Sequence, residues 1–180
     1  ERLNTRDRAG VLRADKLLSA GERAFEDAMH SLQKYGMDRV VDGVEEQKIA
    51  RHGICLGMLL LYERSEETPG VEGLSILKGE ILRLPETEGL KIPHMGWNTL
   101  ELQNQGRLFA GLPEEPFVYF VHSYYLKAES EDIVTAAAWY GTRIHVAVEK
   151  KNVFGCQFHP EKSSHTGLQV LKIFLPLREH

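Results

Sequence analysis

The chain has 180 residues, a net charge of −4 and an ordinary globular composition, which predicts one domain over residues 1–180. The absence of a basic block argues against a nucleic-acid partner, and no apolar run approaches the roughly 20 residues of a membrane span. A count of two cysteines argues against a disulfide framework, and the polar start ERLNTRDRAG has no signal-peptide pattern, so we expect a cytoplasmic protein.

Helices are predicted in the first third of the chain. Apolar residues recur at helical spacing in two stretches, Arg23–Tyr35 and Met37–Glu46. A further helix is predicted from about Leu56 to Arg64, after Gly53.

Strands are predicted in the middle and late part of the chain. Four runs rich in β-branched and aromatic residues, bounded by turn residues, are FVYFVHSYYL, DIVTAAAWYG, RIHVAVE and NVFGCQFH. SILKGEILRL and HMGWNTLEL fit strands or a hairpin. A closing helix is predicted over Ser164–Leu175, with one apolar face formed by Leu168, Leu171, Phe174 and Leu175. This order of elements predicts an α/β fold with a mixed sheet covered by helices.

The segment Gly53–Gly57, with sequence GICLG, is a candidate nucleophile turn between a strand and a helix. Its terminal glycines remove Cβ atoms where the two elements crowd, and such a sharp turn exposes the central cysteine, Cys55. A helix N-terminus favours the thiolate, and the N–H of Leu56 is a natural oxyanion donor. The same residues also fit a buried structural cysteine beside a flexible glycine pair.

A candidate general base follows in CQFHPEKS. His159 and Glu161 are two residues apart and share a face on extended backbone, which Pro160 favours at the preceding residue. Glu161 can accept a hydrogen bond from one ring nitrogen while the other faces a thiol. The pair alone also fits a surface turn, but together with Cys55 it predicts nucleophilic catalysis by a thiolate.

The second cysteine and the histidines predict no further site. Cys156 alternates with Phe154 and Phe158 and is expected in the core. The spacings of five histidines match no zinc-binding pattern: His94, His122, His145, His159 and His165. We therefore expect no metal and no cofactor.

Four stretches resemble the class I glutamine amidotransferases: GICLGMLLLYERSEE, KIPHMGWNTL, YFVHSYYL and VFGCQFHPEKS. PHMGWN and FHPEKS are most similar to the glutaminase subunits of imidazole glycerol phosphate synthases. The similarity runs from roughly Ala14 to Leu175. It implies an α/β fold whose mixed, mostly parallel sheet is flanked by helices.

The resemblance implies a role for each matched residue. Cys55 would attack the side-chain amide of glutamine, His159 would act as general base and acid, and Glu161 would orient it. The implied oxyanion and substrate-binding positions are Gly21, Glu22, Leu56, Leu59, Glu67, Ser123 and Tyr124.

The resemblance also implies a partner. Family members pass ammonia to a cyclase subunit with a (β/α)8 barrel, which makes imidazole glycerol phosphate in histidine biosynthesis. We expect glutamine hydrolysis here too, with the partner interface at His94, Met95, Gly96, Trp97 and Asn98. Trp97 and Asn98 also fit packing and turn positions.

Four departures from the family pattern lie before residue 60. The charged start has no counterpart of the family's β-α-β opening, about three dozen residues, so we expect an atypical or truncated N-terminal part. The second oxyanion loop reads AGER over Ala20–Arg23, without the family's proline and second glycine. Arg51 and His52 occupy a strand that should be apolar if it is central. Leu59 replaces a substrate-holding glutamine and cannot form its hydrogen bonds.

These departures leave two alternatives to a working glutaminase. One is a catalytically weak or inactive subunit that acts as a scaffold, which Leu59 and Glu22 favour. The other is a different cysteine hydrolase on the same fold. Retention of Cys55, His159 and Glu161 favours an enzyme over a scaffold.

Overall fold

The structure, a computed structural model, describes residues 8–12, 16–21, 24–39 and 49–177. Its helices are α1 (Arg8–Leu12), α2 (Phe25–Lys34), α3 (Leu56–Leu59) and α4 (Ser164–Phe174). Its strands are β1 (Lys16–Gly21), β2 (Ala50–Cys55), β3 (Arg64–Ser65), β4 (Gly79–Arg83), β5 (His94–Thr99), β6 (Glu101–Leu102), β7 (Phe117–His122), β8 (Tyr124–Ala128), β9 (Val134–Trp139), β10 (Arg143–Lys150) and β11 (Val153–Cys156). Short 3-10 helices span Arg107–Phe109, Glu131–Ile133 and Pro160–Lys162.

The main sheet is mixed, as predicted. Its strands lie in the order β1-β2-β11-β10-β8-β4-β3, with β9 on β10 and β6 on β9. Parallel pairing joins β1, β2 and β11 at one end and β3 to β4 at the other. The remaining pairs among the described strands are antiparallel, so the expectation of a mostly parallel sheet is wrong for this part of the chain.

Strands β5 and β7 form a separate antiparallel pair. β7 follows the two-residue period of a half-buried strand, because Val118, Phe120 and His122 are buried while the residues between them are more accessible. This pair lies beside the carboxyl end of β2, as the contacts of Cys55 described below demonstrate.

Helix α2 confirms the first predicted helix and buries Phe25 and Met29. The second prediction, Met37–Glu46, falls mostly outside the described residues. No helix among the described segments is long and apolar enough to cross a membrane.

Helix α3 is shorter than predicted and ends at Leu59. Its continuation is replaced by tight turns in which the N–H of Tyr62 donates to the carbonyl of Leu59 at 3.2 Å. The carbonyls that a longer helix would use accept from a distant loop instead, with Leu74 donating to Leu60 and Gly73 donating to Glu63 at 2.9 Å each. Long-range backbone pairing therefore overrides the local helical pattern.

The closing helix α4 ends one residue earlier than predicted, and its buried face only partly matches the predicted apolar face. Of the predicted apolar face, Leu168 and Leu175 are 50% and 67% exposed, while Phe174 is buried together with Val170, which lies outside that face. Gly167 explains the rotation, since an added Cβ there would lie 1.8 Å from the carbonyl oxygen of Pro160. The helix thus approaches the preceding turn most closely at its glycine.

Strand β2 buries its two unexpected polar residues, Arg51 and His52. His52 Nε2 lies 3.3 Å from Cys156 Sγ, and the ring packs at a tilt against Phe174. Burial lowers the pKa of His52 to about 4, so the imidazole is neutral near pH 7. A neutral ring removes the cost of burying a charge at His52.

Candidate active site

Cys55 stands at the junction of β2 and α3 with a strained backbone. Its φ is 51° and its ψ is −111°, a conformation that side-chain-bearing residues rarely adopt. Gly53 permits the tight approach, because a Cβ at that position would lie 2.5 Å from the carbonyl oxygen of Gly57. Gly53 is therefore explained by strand-to-helix crowding. Backbone strain of the kind seen at Cys55 is concentrated at functional sites.

The sulfur of Cys55 lies between two elements distant in sequence. It is 3.8 Å from the carbonyl oxygen of Val121 on β7 and 3.6 Å from Nε2 of Gln157, which follows β11. The second contact arises because β2 and β11 are parallel with Ile54 beside Cys156. The thiol is partly accessible, in contrast to the fully buried Cys156.

His159 and Glu161 meet as their spacing predicts. Glu161 Oε1 lies 2.7 Å from His159 Nδ1, with the imidazole buried and the carboxylate half exposed. An acceptor at Nδ1 holds the proton on that nitrogen and leaves Nε2 as the basic atom. The contact of Cys55 with Gln157 brings the thiol to the strand end that carries this pair, two residues before His159.

Ser163 fixes the backbone around His159. Its hydroxyl donates to the carbonyl oxygen of His159 at 2.6 Å and accepts from the N–H of Tyr119 at 2.9 Å. The N–H of His159 in turn donates to the carbonyl oxygen of Tyr119 at 2.9 Å. The histidine segment is thereby tied to β7, the strand whose Val121 carbonyl faces Cys55.

The candidate oxyanion groups are described in part. Gly21 ends β1 directly beside Cys55 in the parallel register. Glu22, the other expected residue of this loop, lies outside the described residues. Leu56 is the first residue of α3, where backbone N–H groups have no acceptor within the helix.

The expected substrate-binding residues lie at three places in the fold. Leu59 is buried in an apolar cluster and offers no hydrogen-bonding group one turn after Cys55. Glu67 Oε2 accepts from the N–H of Phe25 at 3.2 Å, which links it to the start of α2. Ser123 and Tyr124 lie where β7 passes into β8, and both are partly accessible.

The expected interface stretch presents only part of its length at the surface. Met95 and Trp97 are 62% and 44% exposed, and Trp97 stacks on the exposed Phe117 at 5.5 Å. We call Met95, Trp97 and Phe117 the β5–β7 surface. His94 differs from the expectation because its side chain is buried, and the amide of Asn98 donates to the carbonyl of Trp139 at 3.0 Å.

Three residues at the site were not singled out for it by the sequence: Gln157, Ser163 and His122. Gln157 and Ser163 flank His159 within CQFHPEKS. The presence of polar side chains on both sides of a candidate base could have indicated from the sequence that they belong to the site. His122 lies 2.9 Å from His94 in a buried pair, and burial lowers its pKa to about 3, with His94 and His159 adding to the effect.

Cys156 is confirmed as a core residue. Burial raises the pKa of its thiol, and the neighbouring Cys55 and Glu161 raise it further. A buried thiol with a raised pKa is a poor nucleophile, so chemistry at this site is expected from Cys55 alone. The described part of the chain contains no group of three or more acidic, histidine or cysteine side chains suited to a metal ion.

Comparisons with known proteins agree with this geometry. The sequence profile of the family described as glutamine amidotransferase class-I matches residues 31–175. "Imidazole glycerol phosphate synthase subunit HisH" of Moorella thermoacetica is 44% identical over 176 residues, covering 98% of this chain and 83% of that protein. The protein of the same name from Bacillus cereus is 45% identical over 174 residues, covering 97% and 82%.

Solved structures have the same fold. One described as "Crystal structure of glutamine amidotransferase" superposes with a TM-score of 0.70 at 20% identity, covering 94% of this chain and 84% of that chain. The glutaminase domain of Trypanosoma brucei CTPS, solved with bound acivicin, gives 0.64 at 16% identity, covering 96% and 75%. By its profile match and its identity to these relatives, the chain belongs to the class I glutamine amidotransferases and, within them, to the family of imidazole glycerol phosphate synthase subunit HisH.

Proposed function

We propose that this chain hydrolyses glutamine to glutamate and ammonia on Cys55 and delivers the ammonia to a cyclase that makes imidazole glycerol phosphate. The observation that carries the proposal is the strained Cys55 beside the strand end that bears the His159–Glu161 pair. The relatives' names support the substrate and the pathway, histidine biosynthesis. Two free thiols are in keeping with a cytoplasmic location.

The first half of the reaction forms a thioester. The Cys55 thiolate attacks the side-chain carbonyl carbon of glutamine, and the developing oxyanion receives a hydrogen bond from the N–H of Leu56. His159, protonated at both ring nitrogens after taking up the thiol proton, gives one proton to the leaving nitrogen. The carbon–nitrogen bond breaks and ammonia departs.

The second half releases glutamate. His159 Nε2 removes a proton from water, whose oxygen attacks the thioester through a second oxyanion. The carbon–sulfur bond breaks, and the sulfur regains a proton from the imidazolium. Throughout, the carboxylate of Glu161 holds the ring in place at Nδ1, since the two atoms are 2.7 Å apart.

The β5–β7 surface is the proposed docking site for the cyclase, a (β/α)8 barrel. Exposed aromatic and methionine side chains on paired strands are typical of the central contacts of protein interfaces. β5 pairs with β7 in a register that places Met95 beside Val121, whose carbonyl faces the Cys55 thiol. Ammonia released at Cys55 would therefore form beside β7, the strand that pairs with the Met95-bearing strand of the docking surface.

One alternative has a specific observation in its favour. Leu59 is apolar and buried where the family holds substrate with an amide, which favours a weak or inactive subunit that serves as a scaffold. The backbone strain at Cys55 argues the other way, because a scaffold has no use for it. A different cysteine hydrolase of the same fold would retain the strain but prefer another substrate.

Glutamate formation from glutamine decides among these functions. The proposed glutaminase releases glutamate from glutamine but not from asparagine, and Cys55→Ala abolishes the reaction while Cys156→Ala retains it. A folded chain that yields no glutamate, alone or with the cyclase of Moorella thermoacetica, would support the scaffold. Turnover of another amide or ester, with glutamine untouched, would support the third class.

A further inference from the structure

Gln157 is buried against the sulfur of Cys55 without another use for its side chain. Its amide Nε2 lies 3.6 Å from Cys55 Sγ, and the residue has no exposed surface. Among the described residues, the amide oxygen has no hydrogen-bond partner, so the contact with sulfur is the one hydrogen bond of this side chain. Buried amides are normally satisfied by several hydrogen bonds, which makes this arrangement costly to retain for packing alone.

The backbone holds Gln157 in place. The N–H of Gln157 donates to the carbonyl oxygen of Val146 on β10 at 2.8 Å. Directly before it, Cys156 pairs with Ile54, so Gln157 and Cys55 leave two neighbouring parallel strands side by side. The position of the amide is therefore set by strand register and not by a flexible surface chain.

We propose that Gln157 stabilises the thiolate of Cys55 by donating an amide hydrogen to its sulfur. The proposal rests on Cys55 being the nucleophile of the proposed function and adds a residue to that site. An ionised sulfur accepts hydrogen bonds more strongly than a neutral thiol, so the donor favours the reactive form. The same bond aims Sγ from the strained turn toward the strand end that carries His159.

The two ends of an amide make opposite predictions. An N–H beside sulfur stabilises the thiolate and lowers the pKa of the thiol, whereas a carbonyl oxygen there would stabilise the protonated thiol and raise it. The carbonyl of Val121, at 3.8 Å, already offers the thiol proton an acceptor. The carbonyl of Val121 can thus accept from the neutral thiol of Cys55, and the amide of Gln157 can donate to its thiolate.

The test is the pH dependence of Cys55 alkylation by iodoacetamide, followed by peptide mass spectrometry. Gln157→Leu keeps the size and removes the donor, so the midpoint should rise by about one pH unit, or about tenfold less thiolate below it. Gln157→Glu should raise the midpoint further, because a carboxylate repels the thiolate. Gln169→Leu is the matched control. The amide of Gln169 donates to the carbonyl oxygen of Gly111, so its loss should leave the Cys55 midpoint unchanged.

An unchanged midpoint in folded Gln157→Leu and Gln157→Glu would overturn the proposal, and a lowered midpoint would mean that the amide oxygen faces the sulfur. If both variants fail to fold, the native protein decides. The side-chain amide resonances of Gln157 should then titrate with the Cys55 midpoint and lose this titration in Cys55→Ser; resonances that ignore the thiol would refute the hydrogen bond.

This experiment separates the role of Gln157 from the wider function. If the chain hydrolyses glutamine but the Cys55 midpoint does not change in the Gln157 variants, the glutaminase proposal holds and the role of Gln157 is refuted. If the midpoint rises in the Gln157 variants but the chain does not hydrolyse glutamine, the role of Gln157 holds and the glutaminase proposal is refuted.

Discussion

His94 on β5 donates a hydrogen bond to His122 on β7, with 2.9 Å between Nδ1 and Nε2. The direction follows from the other end of His122, whose Nδ1 lies 2.8 Å from the carbonyl oxygen of Tyr124 and must carry the proton. The Nε2 of the neutral ring is then an acceptor, and His94 supplies the hydrogen. The pair joins the strand that bears Met95 and Trp97 to the segment that borders the candidate pocket.

Burial makes this pair a source of acid sensitivity. It lowers the pKa of His122 to about 3 and those of His94 and His52 to about 4, against about 6.5 for an unfolded chain. The unfolded state therefore binds protons that the folded state does not, and stability is lost as pH falls from 6.5 toward 4. Each histidine contributes a slope of about 1 kcal/mol per pH unit in that window.

Urea unfolding between pH 7.5 and pH 5 measures this slope. His52→Val suits the strand and removes one buried imidazole, so it should reduce the slope by about 1 kcal/mol per pH unit. His165→Ala, at an exposed position, should leave the slope unchanged. An identical pH dependence of the native chain and His52→Val would contradict the account of buried neutral rings.

Ser163→Ala is expected to impair catalysis through the backbone of His159. The variant removes a 2.6 Å bond to the carbonyl of His159 and leaves the N–H of Tyr119 without its acceptor, at a cost of about 1–3 kcal/mol for each buried group. We expect a lower melting temperature and a lower kcat for glutamine with little change in KM. Ser163→Thr, which keeps the hydroxyl, should recover much of both; a kcat unaffected by Ser163→Ala would exclude the positioning role.

Leu59→Gln is expected to lower the KM for glutamine by about three- to tenfold, because it restores a substrate-binding amide. Leu59→Met, of similar size but without that amide, is the control. Initial rates over a range of glutamine concentrations provide the comparison. If the glutamine variant and the methionine variant behave alike, the proposed account of the pocket fails.

Trp97→Ala is expected to weaken cyclase binding without changing glutamine turnover by the isolated chain. A central tryptophan of an interface contributes about 2 kcal/mol or more, so the dissociation constant should rise at least about thirtyfold. Leu168→Ala, at a half-exposed leucine on α4, is the matched surface control. Equal affinities of the two variants, measured by calorimetry with the Moorella thermoacetica cyclase, would remove the β5–β7 surface from the interface.

Local patterns predicted the groups that carry the proposed chemistry. The glycine spacing around Cys55 anticipated a crowded turn, and the His-x-Glu spacing anticipated the 2.7 Å pair of His159 and Glu161. Both features depend on a few consecutive residues, for which backbone geometry is nearly determined by residue type.

Features that depend on distant pairing were not predicted. The end of α3 at Leu59 follows from backbone bonds to residues 73–77, and the buried face of α4 follows from the approach of Gly167 to Pro160. The contact of Gln157 with Cys55 requires the register of β2 against β11. Such contacts join residues up to 102 positions apart, and periodicity within one segment carries no information about them.

The most direct test of the central claim is labelling of the folded chain with an electrophilic glutamine analogue, with the adduct located by peptide mass spectrometry. The account predicts one equivalent on Cys55, protection by excess glutamine, loss of labelling in His159→Ala, and no adduct on the buried Cys156. Slow labelling of both cysteines at equal rates, or none at Cys55, would contradict a working glutamine site.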